Sequence, residues 1–222
     1  SCRSQRHDVW MTAVRTVAQK RAPELLFVLL LLIAGVVLAA AGSGLTFFND
    51  EWEILLGRDG FSPDALLDPH NGQVFVVPVL VYKALIALFG ISTQLPFRLV
   101  AITVALLCAS LLFIHVRRSS GPWMATVLLL PVLFLGAGWE ALLLPLSMNF
   151  LISLTAGLGM LLALDRGDRR WDIGAAMLLL LSLAASGLGL AFACGALVEI
   201  LMRRNPARFW IAAAPLALIG LW

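Results

Sequence analysis

Charged residues are scarce in this chain of 222 residues: Asp, Glu, Lys and Arg together make up 13% of it, against roughly 25% in soluble domains. Hydrophobic residues make up 61%, and mean hydropathy is +0.95. That balance excludes an ordinary soluble domain and points to an all-α, polytopic membrane protein. Cysteine is scarce too. Cys2, Cys108 and Cys194 are widely separated and two of them lie in apolar runs, which leaves no disulfide framework and no metal-binding spacing. The formal charge of +3 sits in short basic clusters between apolar runs, the pattern of topology signals. No nucleic-acid partner is expected. Internal repeats, low-complexity linkers and a soluble domain are also missing. The chain lacks an initiator Met and stops at Trp222 within an apolar stretch, as expected of part of a longer protein.

A helical span needs about 20 apolar residues. Candidates are residues 25–46, 96–115, 123–138, 143–164 and 173–202, with a further span beginning near Arg208. The run 74–90 is short and carries Lys83 near its middle, and basic residues decide its placement. If 74–90 lies along the interface and 173–202 is a hairpin turning at "SGLG" (186–189), thirteen bases face one side, leaving Arg58, Lys83 and Arg98 on the other. If 74–90 crosses, eight of the arginines change sides. The expected organisation is therefore a cytoplasmic N-terminal segment (1–24), a first span (25–46), an extracytoplasmic loop with juxtamembrane helices (47–95) and spans two to seven in 96–222. One long tilted helix over 173–202 is the competing reading, because each hairpin arm is short of about 20 residues. The run 25–46 exceeds the roughly 7–15 residues of a signal-peptide core, so it is read as a retained anchor in a multi-pass plasma-membrane protein.

The loop 47–95 holds six acids and two bases. It opens with "FFNDEWEILLGRDG", placing Asp50, Glu51 and Glu53 at the membrane edge, where ionisable groups are costly and are functional candidates. On a helix Asp50 and Glu51 point about 100° apart, whereas Asp50 and Glu53 share a face. "LLDPHNGQ" (66–73) carries His70 in a turn signature, where the imidazole can accept a proton, bind phosphate or ligate a metal. Lys83 and Arg98 suit an anionic lipid phosphate, or they snorkel to the headgroups. Glu140, in "GAGWEALLLP", is the one charge between Arg118 and Asp165. Each of these residues also has a plainer reading as a solvated loop or turn residue.

An early "NDEW", a "PHNG" turn, a juxtamembrane "PVLVYKALIALFG", then "LPFRLVAITVALL" leading to "RR", together with "GWE" at 138–140, resemble the GT-C superfamily of membrane glycosyltransferases. The likeness is greatest to the branch holding protein O-mannosyltransferases and the aminoarabinose transferase of lipid A. The resemblance implies a polyprenyl-phosphate sugar as donor, Asp50 as the catalytic carboxylate and Arg98, with Lys83 less securely, as phosphate contacts. Glu51, Glu53, His70 and Glu140 receive no role from it beyond lining the site. The family's C-terminal extracytoplasmic domain has no counterpart here, which leaves acceptor recognition open.

As general base, Asp50 would take the proton of an acceptor hydroxyl while that oxygen attacks the anomeric carbon, with inversion. The leaving phosphate calls for charge stabilisation more than protonation. A divalent ion, if one takes part, would find ligands in Glu53, His70 or Glu140. Lipid-linked donor, membrane lipids and a glycan, lipid or protein acceptor are the expected partners. The rival readings are a transporter or flippase of a lipid-linked sugar or anion, whose helices would break at the midplane, and a noncatalytic membrane subunit.

Overall fold

The computed structural model describes residues 2–48, 50–58, 60–134 and 138–222, with the backbone alone for 2–20 and for Trp139. Among the described residues the regular structure is helical, with no named strand. The elements are α1 (Cys2–Ala41), α2 (Glu51–Gly57), α3 (Pro63–Leu67), α4 (Val76–Phe89), α5 (Leu95–Ser120), α6 (Pro122–Phe134), α7 (Trp139–Leu143), α8 (Met148–Leu164), α9 (Arg169–Ala185), α10 (Gly189–Met202) and α11 (Trp210–Gly220). Short 3₁₀ turns at Pro145–Ser147 and Pro206–Arg208 lead into α8 and α11.

Among the described residues three stretches are long and apolar enough to cross a membrane: Arg21–Ala41, Leu95–Ser120 and Pro145–Leu164. The chain therefore has the character of a helical membrane protein. The apolar helices Val76–Phe89, Pro122–Phe134, Gly189–Met202 and Pro206–Gly220 are shorter. Three of the seven crossings expected from hydropathy thus meet the length and composition of a span among the described residues. Side-chain contacts define two ends of the bundle. Glu24 pairs with Arg117 at 2.9 Å, and Asp165 meets both Arg118 (3.4 Å) and Arg203 (2.6 Å) at one end. At the other, Gln73 reaches Ser186 and Gly187, and the Trp222 indole donates to the Leu67 carbonyl.

Small residues let the helices approach closely, the usual basis of packing where lipid removes a hydrophobic drive between helices. Ala34, Ala109 and Ala125 bring α1, α5 and α6 together around the stacked rings of Phe27 and Phe113, whose centroids are 4.0 Å apart. Ala163, Ala175, Ala176, Ala193 and Ala196 do the same for α8, α9 and α10. There Ser153 and Ser182 are joined across the α8–α9 contact at 2.9 Å, and the Ser182 hydroxyl also lies 2.9 Å from the Ser153 carbonyl. Each buried hydroxyl thus finds a partner that hydrocarbon does not offer.

One expected boundary moves and one expected break is present. The first apolar run ends as helix at Ala41, ahead of residue 46, and the next residue, Gly42, lies under the Arg98 side chain. A Cβ at Gly42 would come within 2.7 Å of Arg98 Cδ and Nε. The run 173–202 is two helices broken at Ser186–Leu188, as the hairpin reading expects, and Gly189 is what allows the sharp reversal. A Cβ there would sit 2.5 Å from the backbone nitrogen of Leu183. At Gly157 the obstacle is instead the Phe192 ring, at 2.3 Å. A ring can rotate and a helix backbone cannot. Gly189→Ala is therefore expected to lower stability in denaturant titration by about 1–3 kcal/mol, the usual range for overpacking, and by more than Gly157→Ala. Equal losses would show that the hairpin does not depend on this close approach.

Candidate functional site

The loop between α1 and α5 is built around a buried carboxylate. Glu51, at the start of α2, is only 1% exposed. One of its oxygens accepts the Tyr82 hydroxyl at 2.5 Å; the other accepts the Phe48 amide at 2.8 Å and the Gln94 side-chain amide at 3.1 Å. These donors come from the loop itself, from α4 and from the residue capping α5. One carboxylate therefore ties three segments together, above the apolar cluster of Phe47, Ile54, Phe75, Val79 and Phe97. Burial is the largest influence on Glu51 and raises its pKa above 4.5, against the opposing pull of its three hydrogen bonds and of Arg98. Burial and the neighbouring Glu51 charge also raise the Tyr82 phenol, which stays protonated and available as a donor.

The two cations expected to meet a donor phosphate are placed differently. The Arg98 guanidinium donates to the Leu45 carbonyl and to Gln94 Oε1, both at 2.8 Å. The Lys83 ammonium is held by the Arg58 and Gly60 carbonyls and lies 5.4 Å from the centre of the Phe61 ring. Both residues are buried, and neither borders the cavity described next. The physical reason is the same in each case: a long cationic side chain satisfies loop carbonyls that have no helical partner. Arg58, buried itself, acts alike. Its Nη1 donates to the Asp68 carbonyl at 2.9 Å, joining the end of α2 to the "DPHNG" segment.

That segment makes a tight reversal. His70 and Gln73 exchange backbone hydrogen bonds at 3.1 and 3.0 Å, and Asn71 and Gly72 both adopt positive φ, +52° and +70°. Positive φ at both central residues marks a type I′ turn, and Asn-Gly is its favoured pair. The turn fixes His70 against Phe75, with ring centroids 4.8 Å apart, and points Gln73 at the α9–α10 break. There Gln73 Oε1 accepts the Gly187 amide at 3.1 Å and the Ser186 hydroxyl at 3.4 Å.

A cavity of about 510 Å³ opens beside the turn. Asp50, Glu51, His70 and Glu140 border it, with Asn71, Ser147 and Asn149 as further polar groups and Phe48, Phe75, Leu144, Leu146 and Phe150 as apolar wall. His70 sits between two carboxylates, its Nε2 at 3.8 Å from Asp50 and its Nδ1 at 3.5 Å from Glu53. Its ring is buried, while Asp50 and Glu53 are 42% and 55% exposed. Asp50 and Glu53 thus share the His70 side of α2, and Glu51 faces inward. Among the described residues no group of three His, Cys, Asp or Glu side chains is arranged to hold a metal ion. Of the seven expected site residues, Asp50, Glu51, His70 and Glu140 reach the cavity, Glu53 backs His70, and Arg98 and Lys83 brace the loop. Sequence reading missed Gln73, Asn149 and Ser147. Gln73 stands beside the Asn-Gly signal, but its partners lie more than a hundred residues away.

Glu51 makes stability depend on pH in a stated direction. A carboxyl whose pKa is raised on folding contributes stability below its ordinary value, and the contribution is lost as pH rises through the raised one. Unfolding of the wild type followed from about pH 4 upward is expected to show that decline, and Glu51→Gln to lack it. Parallel profiles for the two proteins would sink the assignment. Tyr82→Phe removes one donor from a buried oxygen and is expected to cost about 1–3 kcal/mol in the same assay. Comparison of the chain with protein-family models, curated proteins and solved structures finds no match.

Proposed function

We propose that the chain is a membrane glycosyltransferase that takes a sugar from a polyprenyl-phosphate donor and passes it to an acceptor hydroxyl at the extracytoplasmic face, with Asp50 as general base. The carrying observation is the convergence of Asp50, His70 and Glu140, from three separate segments, on one cavity whose wall also carries aromatic and aliphatic side chains. Such a lining accommodates both a polar sugar and the first apolar part of a lipid carrier. The cavity lies at the end of the bundle opposite the arginine-rich turns. With those turns cytoplasmic, as basic loops generally are, it opens outward. The proposal includes a cytoplasmic N-terminus, residence in the plasma membrane and seven crossings by α1, α5, α6, α8, α9, α10 and α11.

In the reaction the acceptor oxygen attacks the anomeric carbon as the bond from that carbon to the phosphate oxygen breaks. The hydroxyl proton passes to Asp50, and the electron pair of the broken bond leaves on the phosphate. His70, between Asp50 and Glu53, is placed to relay that proton toward the exposed Glu53 carboxylate. Arg98 and Lys83 are committed to loop carbonyls, so the leaving phosphate is assigned to neutral donors: the Asn71 and Asn149 amides, the Ser147 hydroxyl and the positive end of the α8 dipole. Ser147 makes no side-chain cap to α8, which leaves its hydroxyl free for this task.

Asp50→Asn is expected to lower sugar transfer from a panel of polyprenyl-phosphate sugars by about 10²–10⁴, the usual worth of a positioned base, while donor binding persists. His70→Gln is expected to cost less, about tenfold, because water can replace a relay more readily than a base. Unchanged transfer by Asp50→Asn would remove the catalytic role. Movement of intact lipid-linked sugar between leaflets, without transfer, would establish the flippase reading instead.

A further inference from the structure

The end of the bundle away from the cavity has a chemistry of its own. Two turns meet there, the α8–α9 turn with Gly167 at φ +77° and the α10–α11 turn with Arg204 at φ +51°. Residues 165–172 and 203–208 together hold six arginines and three aspartates. Two of the aspartates are already spent. Asp165 is shared by Arg118 and Arg203, and Asp172 is buried against Arg208, which also donates to the Leu164 carbonyl at 3.1 Å. Glu199 is taken by Arg203 at 2.7 Å. Among the described side chains, Arg169, Arg170 and Arg204 are exposed and have no carboxylate within ion-pair distance, and Arg166 lies over the Trp171 ring at 4.7 Å. Asp168 is the one acid left to offset them.

Between the two turns is a cavity of about 670 Å³, bordered by Arg169, Asn205, Trp210 and the Arg208–Asp172 pair, whose carboxylate is neutralised by its guanidinium partner. Ile173 also borders it and begins an exposed apolar stripe along α9, continuing through Met177 and Leu181, which are 62% and 39% exposed. Residues spaced by four lie one above another on a helix face. Trp171 and Trp210 are 44% and 41% exposed on either side, in the manner of aromatic residues at a membrane interface. Uncommitted guanidinium groups suit a phosphate. An apolar track leading away from them suits an acyl chain, which a free phosphate ion lacks.

We propose that this cavity binds the phosphate of an anionic membrane phospholipid, with Arg169 at its border and the exposed Arg204, next to the bordering Asn205 in the α10–α11 turn, as its principal contacts, and the Ile173–Met177–Leu181 stripe as the seat of an acyl chain. The site is separate from the glycosyltransferase reading and stands without it.

The test uses the full chain purified in neutral detergent and offered phosphatidylglycerol or phosphatidylcholine, with retained lipid measured by native mass spectrometry. Phosphatidylglycerol is expected to be retained in preference. The Arg169→Gln/Arg204→Gln double variant is expected to lose about 25-fold in affinity, at roughly fivefold for each arginine near an anionic surface. Arg169→Lys/Arg204→Lys should retain part of the preference, and circular dichroism of both variants should match the wild type. If a variant unfolds, displacement of phosphatidylglycerol from the wild type by salt replaces it as the readout, since phosphate contacts are screened. No preference between the two lipids, or retention unaffected both by the substitutions and by salt, would overturn the proposal. So would displacement of the lipid by inorganic phosphate at equal concentration, which would assign the site to a soluble anion.

Discussion

The buried carboxylate of Glu51 is the constraint on which the candidate site depends. Taking an ionisable group out of water is costly unless its hydrogen bonds are satisfied, and three donors from three segments satisfy this one. Gln94 extends the network, since its amide nitrogen donates to Glu51 while its oxygen accepts from Arg98, which in turn holds the Leu45 carbonyl. The stretch from the end of α1 to the start of α2 is thus fixed at both ends by polar contacts. Asp50 lies inside that stretch, and its position beside the cavity follows from the hydrogen bonds of its buried neighbour.

Charge is divided by role within a small volume. The cations Arg58, Lys83 and Arg98 are buried and turned toward backbone carbonyls, whereas Asp50, Glu53 and Glu140 are left partly or fully exposed near His70. A membrane-edge loop with little regular structure has many carbonyls and few donors to meet them, and long basic side chains supply several donors each. The cavity keeps acids and neutral amides. It is a setting suited to accepting a proton, and in the proposed reaction the leaving phosphate meets dipoles in place of full charges.

Much of the architecture was legible because it rests on local rules. Apolar run length marks α1, α5 and α8, and the Asn71-Gly72 pair announces the His70 turn. "SGLG" announces the break between α9 and α10. Helix spacing alone separates Glu51 from Asp50 and Glu53. The isolation of Glu140 in an uncharged stretch singled it out, but its convergence with Asp50 depends on how α7 and α8 pack and has no local signal. The destinations of Arg98 and Lys83 were equally hidden: the same residue types at the same positions suit a lipid phosphate or a loop carbonyl, and the choice is made by which acceptors the fold leaves unpaired. Gln73 is the extreme case, with partners in the break between α9 and α10 that only tertiary structure brings near.

The brevity of α10 has a consequence for where a substrate meets the protein. Fourteen residues rise about 21 Å, some 9 Å less than the roughly 30 Å hydrocarbon thickness of a bilayer. A membrane surrounding such a segment thins or dimples to meet it. The notch at Ser186 and Gly187, with the Gln73 amide resting in it, would then lie below the level of the neighbouring headgroups. For the glycosyltransferase proposed above, a long-chain isoprenoid donor would then enter laterally and present its sugar without being lifted out of the leaflet.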